Sequence, residues 1–229
     1  MLKLYGFPVS NYTNMVELAL LEKGLPFQYV LTYPALTEEF LAISPRGKVP
    51  ALGTPKGFIN ETDAILDYLE DSGEGRPLLP QDPYQRAQVR VLMKEIELYI
   101  ELPARACFAE AFFGGKVPEP IKSKAREDLL AGFATLKRHA KFTPYVAGES
   151  FTLADVVLLY SVDLAAGVGQ RIFGLDLMAD VAGVQSLLKL LNENAHVQKI
   201  AAKREAGTAA FIASVQARLR AAGPPPATA

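Results

Sequence analysis

The sequence predicts an α+β fold in two parts, a small mixed-sheet unit in the order βαβα-ββα and an all-helical domain after it. Three observations carry this. Short strand-like runs alternate with helical patterns from Leu2 as far as Leu69. A stretch at 71–83, DSGEGRPLLPQDP, then breaks all periodicity with its glycines and prolines. Beyond it, the apolar positions recur at helical spacing. The expected division is 1–75 for the first domain, 76–83 for a linker, 84–215 for the helical domain and 216–229 for a tail that ends disordered.

Each element of the first part has a local reason. Leu2-Lys3-Leu4-Tyr5 alternates and reads as a strand. Gly6-Phe7-Pro8-Val9 is a loop, and Ser10 or Thr13 can cap the helix that follows. Its apolar stripe is Met15, Val16, Ala19 and Leu20, and Lys23-Gly24 stops it with Pro26 just beyond. Residues 27–32 read as a second strand, and a helix between the two strands implies a parallel, right-handed crossover. Residues 37–43 form a short helix, ended by Ser44-Pro45. Val49-Pro50-Ala51-Leu52 and Gly57-Phe58-Ile59 are two strands joined by a turn, hence an antiparallel hairpin. Asn60-Glu61-Thr62-Asp63 precedes a helix with Ile65, Leu66 and Leu69 on one face. Thr62 is the expected N-cap.

In the second part, 84–113 reads as one long helix, kinked at Pro103. Gly114-Gly115 ends it, and 121–140 is the next helix, tolerating Gly132. Phe151-Thr152-Leu153-Ala154-Asp155-Val156 is a strong start signal. Thr152 is the cap and Asp155 its N3 carboxylate, with Phe151 and Val156 in the positions of a hydrophobic staple. The helix behind it, 156–166, is apolar almost all round and is the expected centre of the domain. Helices at 184–192 and 195–206 follow, and 211–222 is one more candidate.

Bulk properties narrow the function. The 229 residues carry 24 basic and 25 acidic side chains, net −1, which gives no electrostatic footprint for nucleic acid or anionic membrane. Cys107 is the single cysteine, so no internal disulfide forms and a reducing, cytoplasmic setting is expected. Met1-Leu2-Lys3-Leu4-Tyr5 lacks the continuous apolar region of a signal peptide, and no uninterrupted apolar run has spanning length. The two histidines, His139 and His196, lack the neighbours of a metal site, so no metal is expected.

The chemistry concentrates at 44–69. A helix N-terminus with a capping hydroxyl attracts an anion through its free amides and dipole. An X-Pro bond such as Val49-Pro50 tolerates the cis form, which turns the Val49 N–H and C=O outward to pair with an extended peptide. A plain turn-strand-turn-helix unit accounts for the same residues.

Read together, the layout resembles the soluble glutathione transferases, and in particular a bacterial-type, serine-type member. The likeness rests on LYGFPVSNYTNMVELALLEKGLPF, SPRGKVPAL, NETDAILDYL and YVAGESFTLADVVLL, in that order, and covers most of the chain. It implies a thioredoxin-like first domain, glutathione as co-substrate and a homodimer. Position by position, it implies that the Val49 main chain beside cis-Pro50 pairs with the cysteinyl unit. Thr62 takes the γ-glutamyl carboxylate, Glu61 its ammonium, and Lys48 lies on the glycyl side. Ser10 falls where serine-type members carry the hydroxyl that stabilises the thiolate. Tyr5 and Tyr12 are the other candidate donors.

Glutathione's thiol is near the ordinary cysteine value of about 8.5, so a transferase must favour the thiolate to work at neutral pH. A hydroxyl donor and the first helix's N-terminus do this together. Asn14-Met15 stands where many members carry basic residues, which weakens the positive charge expected near the sulfur. With no cysteine near position 10, thiol-disulfide chemistry is disfavoured. Phe7, Tyr12, Phe108, Phe112 and Phe113 are the candidate lining of an apolar pocket for a small-molecule electrophile. The activity implied is conjugation of glutathione to that electrophile. The alternative is a non-catalytic protein of the same fold that holds glutathione or an apolar ligand.

Overall fold

The computed structural model describes residues 1–221. Its N-terminal domain is a four-stranded sheet, β1 (Leu2–Gly6), β2 (Phe27–Leu31), β3 (Ala51–Thr54) and β4 (Gly57–Asn60), in the order β2-β1-β3-β4. β1 and β2 are parallel, with Leu4 opposite Tyr29. β3 runs antiparallel to both β1 and β4. The crossover helix α1 (Asn11–Lys23) and the helix α3 (Thr62–Asp71) pack together, with Leu18, Leu20, Ile65, Leu66 and Leu69 buried. The short α2 (Glu38–Leu41) is capped by Thr37, whose hydroxyl accepts from the Phe40 N–H.

Two boundaries at the hairpin differ from the sequence reading. Val49 and Pro50 precede β3 instead of opening it, and the peptide between them is cis. Thr62 is the first helical residue of α3 and not its cap. Glu61 occupies the cap with φ 65° and ψ 127°, and its side chain makes no capping bond. Glu61 and Phe142 are the two non-glycine residues with positive φ among those described.

The helical domain contains α4 (Pro83–Ile96), α5 (Leu102–Arg105), α6 (Phe108–Phe113), α7 (Glu119–His139), α8 (Leu153–Val168), α9 (Val184–Asn192) and α10 (Ala195–Ala221). The single helix expected over 84–113 is three. A π turn over Glu97–Glu101 separates α4 from α5, and Cys107 caps α6. Pro103 explains the break: it has no N–H for the carbonyl four residues back, which is that of Tyr99. That carbonyl faces Gly132 on α7, where a Cβ would sit 2.1 Å from the oxygen. Gly132 therefore permits the closest approach of the two helices at the point where the ladder opens.

α8 is the buried centre of the domain, and with the π turn over Gly169–Phe173 it runs well past the 156–166 expected from the sequence. Together Leu153–Phe173 are long and apolar enough to cross a membrane by length and composition alone. Twelve of the sixteen α8 residues are buried inside the fold, which accounts for that composition. The separate helices expected at 195–206 and 211–222 are one, because Gly207 does not interrupt α10. At this point α10 runs over the β1–α1 loop, with Gly207 beside Pro8 and Val9. The expected disordered tail falls largely on 222–229, outside the described residues.

The two domains are fastened at the stretch that reads as a linker. Lys23 and Glu70 form a buried ion pair at 2.7 Å. Glu70 also accepts from the Leu78 N–H at 3.1 Å and the Leu79 N–H at 3.2 Å. Leu78 and Leu79 are buried, and the Leu153 N–H bonds to the Leu78 carbonyl at 3.0 Å. On the other side, α10 is held to α1 by the Lys203–Glu17 pair, with the Lys203 ammonium 3.8 Å over the Tyr29 ring.

Candidate active site

A cavity of about 940 Å³ lies between the domains. The first domain lines it through Ser10 at the start of α1, Lys48, Val49, Pro50 and Glu61. The helical domain adds Phe108, Phe112 and Phe113, and Phe7 and Tyr12 complete the aromatic set expected from the sequence. The lining stops at Glu61: Thr62 is buried behind it, at 8% exposure. Tyr5 is directed elsewhere, its ring edge-on to Phe58 at 5.9 Å.

Ser10 shows how a capping residue can also serve a ligand. Its Oγ accepts from the Thr13 N–H at 3.2 Å, so it is the cap of α1 and Thr13 is not. A hydroxyl that accepts at the oxygen keeps its own proton for another acceptor. The first turn of α1 contains no acidic residue. Its dipole therefore meets no side-chain anion of its own there, and Ser10 and Asn11 both line the cavity. Asn14 is fully buried and donates to the Pro8 carbonyl at 3.0 Å, bracing the loop that carries Ser10.

Tyr12 is a poor match for the sulfur donor. Its hydroxyl donates to Glu101 Oε2 at 2.8 Å. Burial first, and then the Glu101 carboxylate, push its pKa well above the ordinary tyrosine value. Glu101 is almost wholly buried and anchors a network: it pairs with Arg105 and accepts from Asn11 Nδ2 at 3.0 Å. Arg105 in turn donates to Asn11 Oδ1 at 2.8 Å and stacks over Tyr12 at 4.9 Å and Phe108 at 5.1 Å. Despite burial, the Glu101 partner raises the Arg105 pKa, so the guanidinium stays charged at the cavity wall.

The sequence reading missed Asn11, Glu101 and Arg105, and also the contribution of α10. Phe211 stacks on Phe7 at 5.0 Å and meets Phe113 edge-on at 6.0 Å, closing the aromatic wall. The only local signal for the network was the i, i+4 spacing of Glu101 and Arg105. Cys107 is buried, and burial pushes its thiol pKa up, which fits a packed side chain and not a reactive one. Among the described residues, no three His, Cys, Asp or Glu side chains gather as a metal site.

A cleft between a mixed βαβ-type sheet domain and a helical bundle, with a helix N-terminus and a cis-proline loop on its wall, defines a class. Comparison with known proteins shows which. The profile of the glutathione S-transferase N-terminal domain matches residues 4–77. A glutathione S-transferase of Pseudomonas putida is 56% identical over 96% of this chain and 100% of its own length. The maleylacetoacetate isomerase of Methylobacterium extorquens, solved with malonate and glutathione bound, is 28% identical, with a TM-score of 0.67 over 86% of this chain and 95% of its own. The β-etherase LigF of Sphingobium shares the fold at 24% identity, with a TM-score of 0.72 over 88% of this chain and 99% of its own. The chain belongs to the glutathione S-transferase family and is a glutathione transferase, with a thioredoxin-like domain followed by a helical one.

Proposed function

We propose that this transferase conjugates the glutathione thiolate to a hydrophobic electrophile, with Ser10 donating to the sulfur. One observation carries the reading: Ser10 Oγ caps α1 as an acceptor and still has a proton to give into the cavity. The thiol proton leaves to solvent. The sulfur then forms a bond to the electrophilic carbon, and the leaving group departs with its electron pair. A hydrogen bond to a charged group is worth about 1.5–3 kcal/mol, enough to move the thiol pKa by roughly one to two units.

The tripeptide lies along 48–62 in this reading. The Val49 main chain, on the cavity beside cis-Pro50, pairs with the cysteinyl unit. Glu61 holds the γ-glutamyl ammonium and Lys48 the glycyl side. Positive φ at a non-glycine residue on a cavity wall marks a backbone held for binding, at about 1–3 kcal/mol. Thr62 serves chiefly through its N–H at the start of α3, since its side chain is buried. The aromatic wall takes the electrophile. Ultraviolet titration of the glutathione complex tests the reading: an absorbing thiolate at pH 7 is expected. Thiol-like behaviour up to about pH 8.5 in the complex overturns it.

A homodimer fits the surface. Tyr84 is 72% exposed, and Phe58, Val91 and Tyr99 are each at least 40% exposed, an apolar set spread over both domains. Sedimentation at micromolar concentration is expected to give twice the chain mass, and a monomer refutes the assignment. The single buried cysteine suits a reducing compartment.

A further inference from the structure

The helical-domain wall is aromatic, yet Arg105, Arg171 and Arg204 all line it. Arg105 is committed to Glu101 and Asn11. The other two are not: among the described residues no carboxylate lies within 4.0 Å of either guanidinium. Arg171 donates one N–H to the Ala111 carbonyl at 3.1 Å and lies 5.1 Å over the Phe112 ring. A guanidinium has five N–H donors, so most of its capacity is open. Arg204 precedes Thr208 by four residues and Phe211 by seven on α10, and all three line the cavity, so they share a face.

A run of aromatic rings lines the same wall, beginning at Phe112 under Arg171. Phe112 meets Phe113 at 6.4 Å, and Phe113 meets Phe211 at 6.0 Å. Arg171 is exposed and Arg204 half-buried, so water solvates both, and a carboxylate entering the cavity exchanges that water for a charge-assisted pair. The acids of the cavity do not supply that pair. Glu97 is paired with Lys94, Glu61 belongs to the first domain, and Asp163 is one exposed carboxylate against two open guanidinium groups.

We propose that the second substrate is an anionic aromatic electrophile, its ring on the phenylalanine wall and its carboxylate held by Arg171 or Arg204, the open guanidinium groups of that wall. This rests on the conjugation reading above and names the substrate class of the same site. The planar guanidinium fork matches a carboxylate in both geometry and charge. A neutral electrophile of the same shape leaves both cations unpaired.

A matched pair of probes tests it: 4-chloro-3,5-dinitrobenzoate and its methyl ester. In both, the glutathione sulfur bonds to the chlorinated carbon and chloride leaves with the electron pair. The ester is intrinsically the more activated, so a preference for the acid reports binding. We expect kcat/KM to favour the acid by roughly tenfold or more, chiefly through KM. Of Arg204→Ala and Arg171→Gln, which keeps a donor toward the Ala111 carbonyl, the one that removes the carboxylate's partner should cut the acid-to-ester ratio by roughly tenfold. Arg204→Lys should retain part of it, and Asp163→Asn should raise it. A parent enzyme without acid preference, or variants with an unchanged ratio, overturns the proposal while leaving conjugation intact. Calorimetry with unreactive 4-nitrobenzoate and 4-nitrobenzamide, on the glutathione-loaded protein, decides the matter if neither electrophile reacts. Tighter acid binding that is lost in Arg204→Ala or in Arg171→Gln supports the proposal, and equal binding refutes it. Failure of the thiolate reading shows separately, as loss of the ultraviolet signal.

Discussion

Helices α1 and α8 pack against each other, and each starts on a hydroxyl residue, Ser10 and Thr152. At α8 the start is closed. The Asp155 carboxylate accepts from the Thr152 N–H at 2.8 Å, the Thr152 hydroxyl at 3.1 Å and the Val146 N–H at 2.8 Å, all of it buried. At α1 the start has a hydroxyl but no acid in its first turn, and it opens on the cavity. A helix N-terminus favours an anion. α8 carries its own, which makes it a structural joint. α1 carries none, and its complement arrives as a ligand. The same capping chemistry thus serves stability at one end of the cleft wall and binding at the other, and the difference is one carboxylate three residues on.

The largest way to break this comparison is at Ser10. Ser10→Ala should leave glutathione affinity within a few-fold, since Lys48, Val49 and Glu61 are untouched. Conjugation at pH 7 should fall by roughly ten- to a thousand-fold, and the bound thiol pKa should rise toward about 8.5. Raising the pH should recover part of the rate, because solvent then removes the proton. A variant that melts earlier and reacts normally would reduce Ser10 to a second Thr152. Tyr12→Phe is the control, and with the Tyr12 hydroxyl bonded to Glu101 it should leave the thiol pKa alone.

A third helix start sharpens the contrast. α3 has neither a capping side chain nor a free hydroxyl on the cavity: Glu61 is the cap residue and Thr62 is buried. If its amides and dipole hold the γ-glutamyl carboxylate, Thr62→Ala should weaken glutathione binding by at most about 1.5–3 kcal/mol, the range for a bond to a charged group. Affinity equal to the parent in calorimetry would leave the amide as the whole of Thr62's contribution.

The fold was legible where its causes are local in sequence. The capping box at 152–155 and the Lys23-Gly24 stop are each set within a few residues, and each stands where the residues indicate. The aromatic set at 108–113 was legible as a stripe, and all three of its phenylalanines reach the cavity. What escaped is settled across distance. Asn11 meets Glu101 ninety positions away, and no pattern around either residue announces it. Gly207 looks like a break, yet α10 runs through it uninterrupted. Thr62 is a better cap than Glu61 by side-chain chemistry, yet the chain enters α3 from β4 with positive φ at Glu61 and moves the start by one residue. The open guanidinium groups of Arg171 and Arg204 belong to the same class, because what leaves them unpaired is that, among the described residues, no carboxylate from another element comes within 4.0 Å.

The smallest effect is expected at Thr152, and it tests the closed half of the comparison. Thr152→Ala removes one donor from Asp155 and leaves the bonds from its own N–H and the Val146 N–H in place. The loss should be about 0.5–2 kcal/mol of stability, read as a lower melting temperature, with activity per folded molecule unchanged. Its pH dependence discriminates further. Burial raises the Asp155 pKa to about 6 even against its hydrogen bonds. The Thr152 hydroxyl stabilises the ionised form, so deleting it raises that folded-state pKa again and leaves the unfolded value untouched. The ionised, buried carboxylate is then less well supported above about pH 6, whereas a protonated Asp155 loses little at lower pH. The melting difference between parent and Thr152→Ala should therefore be larger at pH 8 than at pH 5. A difference that is flat with pH would mean the hydroxyl only orders the chain before α8. One that grows toward pH 5 would mean Asp155 is held as the neutral acid, and the start of α8 would then lack the anion that sets it apart from α1.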